Sequence, residues 1–135
     1  MAVIRSADAR RVETPNALMT TLASPTQGGS ATSVWRVDMR PGQSGPLHTV
    51  DAPQVWTVLS GDATVDLDDA TFALAEGDTT VLPAQSARRV TSGSAGLAAI
   101  VTAPATMLAV ALDGTRPGAA CATPVGAGLS PAWVQ

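Results

Sequence analysis

This sequence has one cysteine, one histidine, one phenylalanine and no lysine. A lone thiol, Cys121, closes no internal disulfide, which fits a reducing compartment. It sits in a Gly/Ala/Pro-rich tail and reads as a bystander rather than a nucleophile. Charge is scarce as well: charged residues are 14% of the chain and the formal net charge is −3. No basic cluster exists beyond Arg10–Arg11 and Arg88–Arg89, so the positive surface that nucleic-acid binding needs is missing. Every basic side chain is Arg, which reads as the coding bias of a GC-rich genome. No apolar run approaches the roughly 20 residues of a membrane span. The opening residues, MAVIRSADARRVETPNA, hold no apolar stretch of signal-peptide length. The expected location is the cytoplasm. Also absent are a nucleophile elbow, a phosphate-binding Gly-rich loop and a Cys-x-x-Cys pair. A catalytic triad is hard to build around one His in this context. Paired carboxylates are poorly placed too, because Glu13 and Glu76 fall in a lead-in and a turn.

What is present is 135 residues, 45% of them hydrophobic. That suits one domain that buries a core without disulfides or a structural metal. Residues 1–135 are read as a single unit, with a core at about 17–111 and a Gly/Pro/Ala-rich extension over 112–135 that wraps the surface. Residues 34–39 set Trp35, Val37 and Met39 against Arg36 and Asp38, and 62–68 set Ala63, Val65 and Leu67 against four polar residues. Alternation with period two predicts strands with one buried face. The apolar runs 55–59 and 97–101 predict strands covered on both faces, although 97–101 alone also suits a helix. Turn signals punctuate these runs at Pro41-Gly42, Ser44-Gly45-Pro46, Ser60-Gly61-Asp62, Asp68-Asp69, Glu76-Gly77-Asp78 and Ser92-Gly93. Residues 23–33 read as a loop inside the domain. Short strands at this spacing predict an all-β sandwich or barrel.

Two segments carry a resemblance. GQSGPLHTVDAPQVWTVLSG, residues 42–61, resembles the first cupin motif: Gly, five residues, His, one residue, His, three residues, Glu, six residues, Gly. Gly42, His48, Val50, Gln54 and Gly61 keep that frame. GDTTVLPAQSAR, residues 77–88, resembles the second motif, with Gly77 and Pro83 in place, Gln85 at the second Gly and Arg88 at the His. The resemblance implies a double-stranded β-helix, or jelly-roll barrel. It also implies that His48, Val50, Gln54 and Arg88 occupy the positions where relatives hold a divalent metal. Three of the four have changed, and an arginine is a permanent cation. No cofactor is therefore expected. Were a metal bound, His48, Gln54 and Asp51 would be the first residues to examine.

The same frame points these side chains into the barrel, and alternation adds Trp56, Val58 and Val90. An apolar cavity with a few convergent polar groups is how small-molecule sites are built. His48 is the candidate acid or base, with Asp51 as a group that could orient it. Arg88 is the candidate for a carboxylate or a developing enolate or phenolate. Its alternative role is pairing with Asp38 or Asp51. Gln54, Trp56, Val50 and Trp35 complete the expected substrate-binding set, each Trp with core packing as its alternative. The expected function is a metal-independent cyclase, isomerase or dehydratase acting on a small planar or carbonyl-bearing metabolite. The resemblance also implies, by analogy with single-domain members of that family, a place beside bacterial natural-product pathways. The alternatives are a non-catalytic sensor or carrier and a metal-dependent dioxygenase with a reduced ligand set. The expected partners are a small molecule and a second copy of the chain, with no nucleic acid and no membrane.

Overall fold

The computed structural model describes residues 1–113 and 123–135, so Cys121 lies outside the described residues. A 3₁₀ turn, Ser6–Asp8, precedes ten described strands: β1 (Arg11–Glu13), β2 (Leu18–Ala23), β3 (Thr32–Met39), β4 (His48–Val50), β5 (Gln54–Leu67), β6 (Ala70–Leu74), β7 (Thr79–Leu82), β8 (Arg88–Pro104), β9 (Ala109–Asp113) and β10 (Thr123–Leu129). The pairings are antiparallel throughout. The alternation in β3 is realised, with Ser33, Trp35, Val37 and Met39 buried and the residues between them partly exposed.

The long strands β5 and β8 make the architecture. The 97–104 half of β8 pairs with β3, and its 97–102 part also pairs with β5. Its 88–92 half pairs with residues 63–67 of β5, and Arg88 meets β4. One strand thus serves both halves of a sheet that curls onto itself. The connected order is β1-β2-β3-β8-β4-β9-β10, with β6 and β7 joined through β5. The curl encloses a core that includes Trp35, Val37, Val58, Val65, Leu82 and Val101.

Two turn signals are bends inside strands rather than chain reversals. The register of β5 shifts between Val58 and Ser60 and again between Gly61 and Ala63. Gly61 and Gly96 both have φ of +75°. A Cβ on Gly61 would stand 2.0 Å from the Gly96 carbonyl oxygen, so only glycine allows this crossing. Ser92-Gly93 likewise lies within β8. Residues 55–59 are also not covered on both faces: Val55 and Leu59 are exposed, while Gln54 and Val58 are buried. The run 97–101 is strand, with Leu97, Ala98, Ala99 and Val101 buried.

The tail does more than wrap the surface. β10 pairs with β9, and Val134 is fully buried in the core with Trp133 packed beside it. Ser33 Oγ donates to the Val134 carbonyl, and Thr21 Oγ1 donates to that of Trp133 at 2.9 Å. These bonds seat the segment on β2 and β3.

Candidate functional site

β4 and β8 meet at one cross-strand pair, His48 opposite Arg88. Directly opposed residues face the same side of a sheet and stand within side-chain reach. On β8, Arg88, Val90 and Ser92 are buried and alternate with the half-buried Arg89 and Thr91. Arg88 therefore faces inward. On β5, Gln54, Trp56 and Val58 share the inward face, and on β4 Val50 follows His48 inward. Sequence and structure agree that these residues converge.

Arg88 is 1% exposed. Its Nε donates to the Ser86 carbonyl at 3.3 Å, and Nη2 donates to the Pro83 carbonyl and to Ser86 Oγ, the latter at 3.0 Å. Nη1 donates to Gln54 Oε1 at 3.2 Å. All of these acceptors are neutral. Burial pulls the guanidinium pKa down to about 10, against an opposing pull from Asp68. Arg88 thus remains a cation at neutral pH, buried and without a carboxylate bonded to it among the described residues. The carboxylates expected as partners are engaged elsewhere. Asp38 pairs with Arg36 at 2.9 Å. Asp51 is exposed and accepts the Leu108 backbone N–H at 2.7 Å.

Asp51 does not orient His48 either. His48 Nδ1 lies 2.9 Å from the Pro46 carbonyl oxygen. A carbonyl can only accept, so Nδ1 carries the proton and neutral His48 holds its lone pair on Nε2. Burial lowers the His48 pKa, the Pro46 bond opposes this, and the charge of Arg88 lowers it further. The loop carrying Pro46 is stapled to β8: Gly45 N donates to Val90 O at 2.9 Å, Ser92 N donates to Gln43 O at 2.8 Å, and Gln43 N donates to Ser92 Oγ at 2.9 Å.

Gln54 is buried and fixed in orientation. Its Oε1 accepts from Arg88 and, at 3.4 Å, from Trp56 Nε1, while its Nε2 donates to Met107 Sδ at 3.5 Å. Trp35 packs in the core between β2 and β8, with no side-chain hydrogen bond among the described residues, which favours its packing role. Met107, Ser86 and the carbonyls of Pro46 and Pro83 were not legible as site groups. Backbone acceptors leave no trace in residue type, and Met107 has no motif to mark it. A separate surface cleft of about 600 Å³ runs between Glu13–Leu18 and Asp38–Gln43 and holds none of these residues.

The donor set does not suit a divalent metal. At the four family positions only His48 offers a free nitrogen lone pair. Val50 has no donor, Gln54 Oε1 already accepts from two groups, and Arg88 is cationic. Among the described residues no three of His, Cys, Asp and Glu come together.

An antiparallel sheet curled into a double-stranded β-helix, with an inward-facing site on its central strands, defines the class of small barrel proteins known as jelly rolls. The sequence pattern of the family described as "Cupin domain" matches residues 35–103, and the chain belongs to the cupin family. Among solved structures it is similar to oxalate decarboxylase from Bacillus subtilis at pH 4.6. That likeness has 13% identity and a TM-score of 0.67, over 73% of this chain and 27% of that one. A second likeness is to a Bacillus subtilis oxalate decarboxylase structure concerned with its Mn(II) centres, with 13% identity and a TM-score of 0.66, over 73% and 28%. The chain spans little more than a quarter of those proteins, and at such identity the likeness is one of fold. No curated protein matches. Among the described residues no helix is long and apolar enough to cross a membrane.

Proposed function

We propose that this cupin is a metal-independent isomerase, cyclase or dehydratase that abstracts a proton beside a carbonyl group of a small metabolite. The observation that carries the reading is the His48–Arg88 pair, a base whose Nε2 has no partner among the described residues beside a buried cation that has no bonded carboxylate among them. His48 Nε2 takes a proton from the carbon next to the carbonyl. The C–H electron pair becomes the new C=C bond, and the carbonyl π pair moves onto oxygen. Arg88 stabilises the resulting oxyanion in a site that water screens poorly. His48 then returns the proton to another carbon, which isomerises the substrate, or to a departing hydroxyl, which dehydrates it. Attack of the enolate carbon on a second carbonyl carbon of the same substrate would close a ring, as that carbonyl's π pair moves onto its oxygen and takes the proton from His48. Gln54 and Trp56 line the same face, where the indole offers a planar substrate a stacking surface.

The solved likenesses include a protein with Mn(II) centres, yet the donor set here supports no equivalent site. A homodimer, and a place in natural-product metabolism, belong to the same proposal. The apolar side chains of Val55, Leu59 and Val81 on the outer sheet face support self-association.

The test needs no known product. Small ketones incubated with the protein in D2O are examined by NMR for deuterium gained beside the carbonyl. Exchange is expected with the natural protein and should vanish in His48→Ala and Arg88→Gln. Exchange that survives both changes overturns the mechanism. Elemental analysis of protein purified without a His-tag or chelator is the companion measurement, and about one transition metal per chain would overturn the metal-independent part. The competing reading, a barrel that holds a small molecule without changing it, predicts a tightly bound compound recovered intact by mass spectrometry and no exchange.

A further inference from the structure

A guanidinium carries five N–H bonds in a fixed plane. Four of those on Arg88 are committed: Nε to Ser86 O, both of Nη2 to Pro83 O and Ser86 Oγ, and one of Nη1 to Gln54 Oε1. One Nη1 N–H therefore has no acceptor among the described residues, and no carboxylate among them bonds the guanidinium. Carboxylates and phosphates are gripped through two parallel N–H groups from two different nitrogens. Every such fork on Arg88 needs Nε or Nη2, and both are already used by the chain itself. What remains is a point charge with a single donor on the Gln54 and Trp56 side of the barrel.

We infer that the site selects ligands through one oxygen atom, a ketone carbonyl or the oxyanion of an enolate or phenolate, and discriminates against carboxylate and phosphate groups that need a two-pronged grip. This inference rests on the proposed function and names its substrate class. Gln54 is then a specificity-determining residue. Being neutral, it holds Nη1 in place without cancelling the charge. A carboxylate at that position would satisfy Arg88 internally and close the site to anions. The Ser86 and Pro83 acceptors have a matching role, because they fix the guanidinium plane so that only the Nη1 edge is presented.

Three probes test this at one pH: 4-nitrophenol, whose phenolate absorbs apart from the phenol, benzoate and inorganic phosphate. Binding is followed by the phenolate absorbance and by tryptophan fluorescence. The natural protein is expected to bind 4-nitrophenol as the phenolate, about tenfold or more tighter than either other probe, the worth of one charge-assisted hydrogen bond. Arg88→Gln should abolish the preference. Because that change strands the Ser86 and Pro83 carbonyls, Gln54→Glu serves as the second variant. It keeps Arg88 and the side-chain volume and should remove phenolate binding while circular dichroism stays unchanged. Gln54→Glu binding phenolate as well as the natural protein does overturns the role of Gln54 and with it the inference. Equal or tighter Arg88-dependent binding of benzoate or phosphate overturns the single-oxygen class but leaves a small-molecule site at Arg88 standing. If none of the three binds in an Arg88-dependent way, both this inference and the proposed function are overturned.

Discussion

At the scale of single residues, His48 is the natural probe of its own environment, because it is the chain's one imidazole. Its pKa lies below the ordinary value of about 6.5, through burial first and the nearby Arg88 charge in addition. Proton NMR of the ring should show one titration with its midpoint under that value. Arg88→Gln should raise the midpoint, but only part of the way, since burial persists. A base must be unprotonated to act, so catalysed exchange should rise with pH through the His48 midpoint and then level off. The linkage to stability has the same sense. The depressed folded pKa means the contribution is complete above about pH 6.5 and is lost as pH falls through the folded value. Urea titrations of the natural chain and His48→Ala should therefore diverge at neutral pH and converge in acid. Much of this site was legible in the sequence, because the motif spacing fixed which positions point inward and alternation added Trp56. The hydrogen-bond partners were not: Pro46 and Pro83 act through their carbonyls, which every residue possesses.

At the scale of elements, backbone conformation separates two kinds of motif position. Gly42, Gly61 and Gly77 all have positive φ, of 70°, 75° and 86°, and Gln85 stands at the fourth glycine position with a φ of 64°. A side chain in that region costs about 1–2 kcal/mol. Gln85→Gly should therefore stabilise the protein by about 1 kcal/mol, offset in part by the added freedom of the unfolded glycine. The shift would be read as a higher urea midpoint at unchanged slope. Gly61→Ala goes the other way. Its methyl would collide with the Gly96 carbonyl as well as adopt a strained φ. The loss should reach about 2 kcal/mol or more. Sequence reading took Ser60-Gly61-Asp62 and Ser92-Gly93 as turns because a glycine that reverses the chain and one that bends a strand share the same local composition. Only the long-range pairing of β5 with β8 tells them apart. The exposure of Val55 and Leu59 was hidden for a related reason: an apolar run does not reveal whether its second face has a neighbour.

At the scale of the whole molecule, the outer face bearing Val55, Leu59 and Val81 leads to a test of association. Sedimentation should find a dimer, and Val81→Arg should shift it toward monomer with the strand content intact. A monomer at all concentrations would overturn the dimer. The C-terminal residues lead to another. Val134 is a fully buried anchor in the core, and Val134→Ala should lower stability by about 2 kcal/mol. Composition alone made this segment look like a surface wrap, since Gly, Pro and Ala say little about burial and one valine carries no periodicity. The barrel itself was legible, because strand spacing and two spaced motifs point to one architecture. The way one strand serves both halves of the sheet was not, since that depends on residues far apart in sequence.

β8 has one more consequence. It carries Arg88 directly, and through Ser92 and Val90 it also fixes the loop whose Pro46 carbonyl sets His48. His48 and Arg88 are thus both positioned from the same short stretch of β8. Residues 40–48 and 88–92 form a cassette, a two-piece insert whose internal alignment travels with it. Grafted onto the matching strands of another jelly roll, it should keep the alignment of His48 with Arg88, provided the new host supplies Gln54 and the Pro83–Ser86 acceptors that hold the guanidinium.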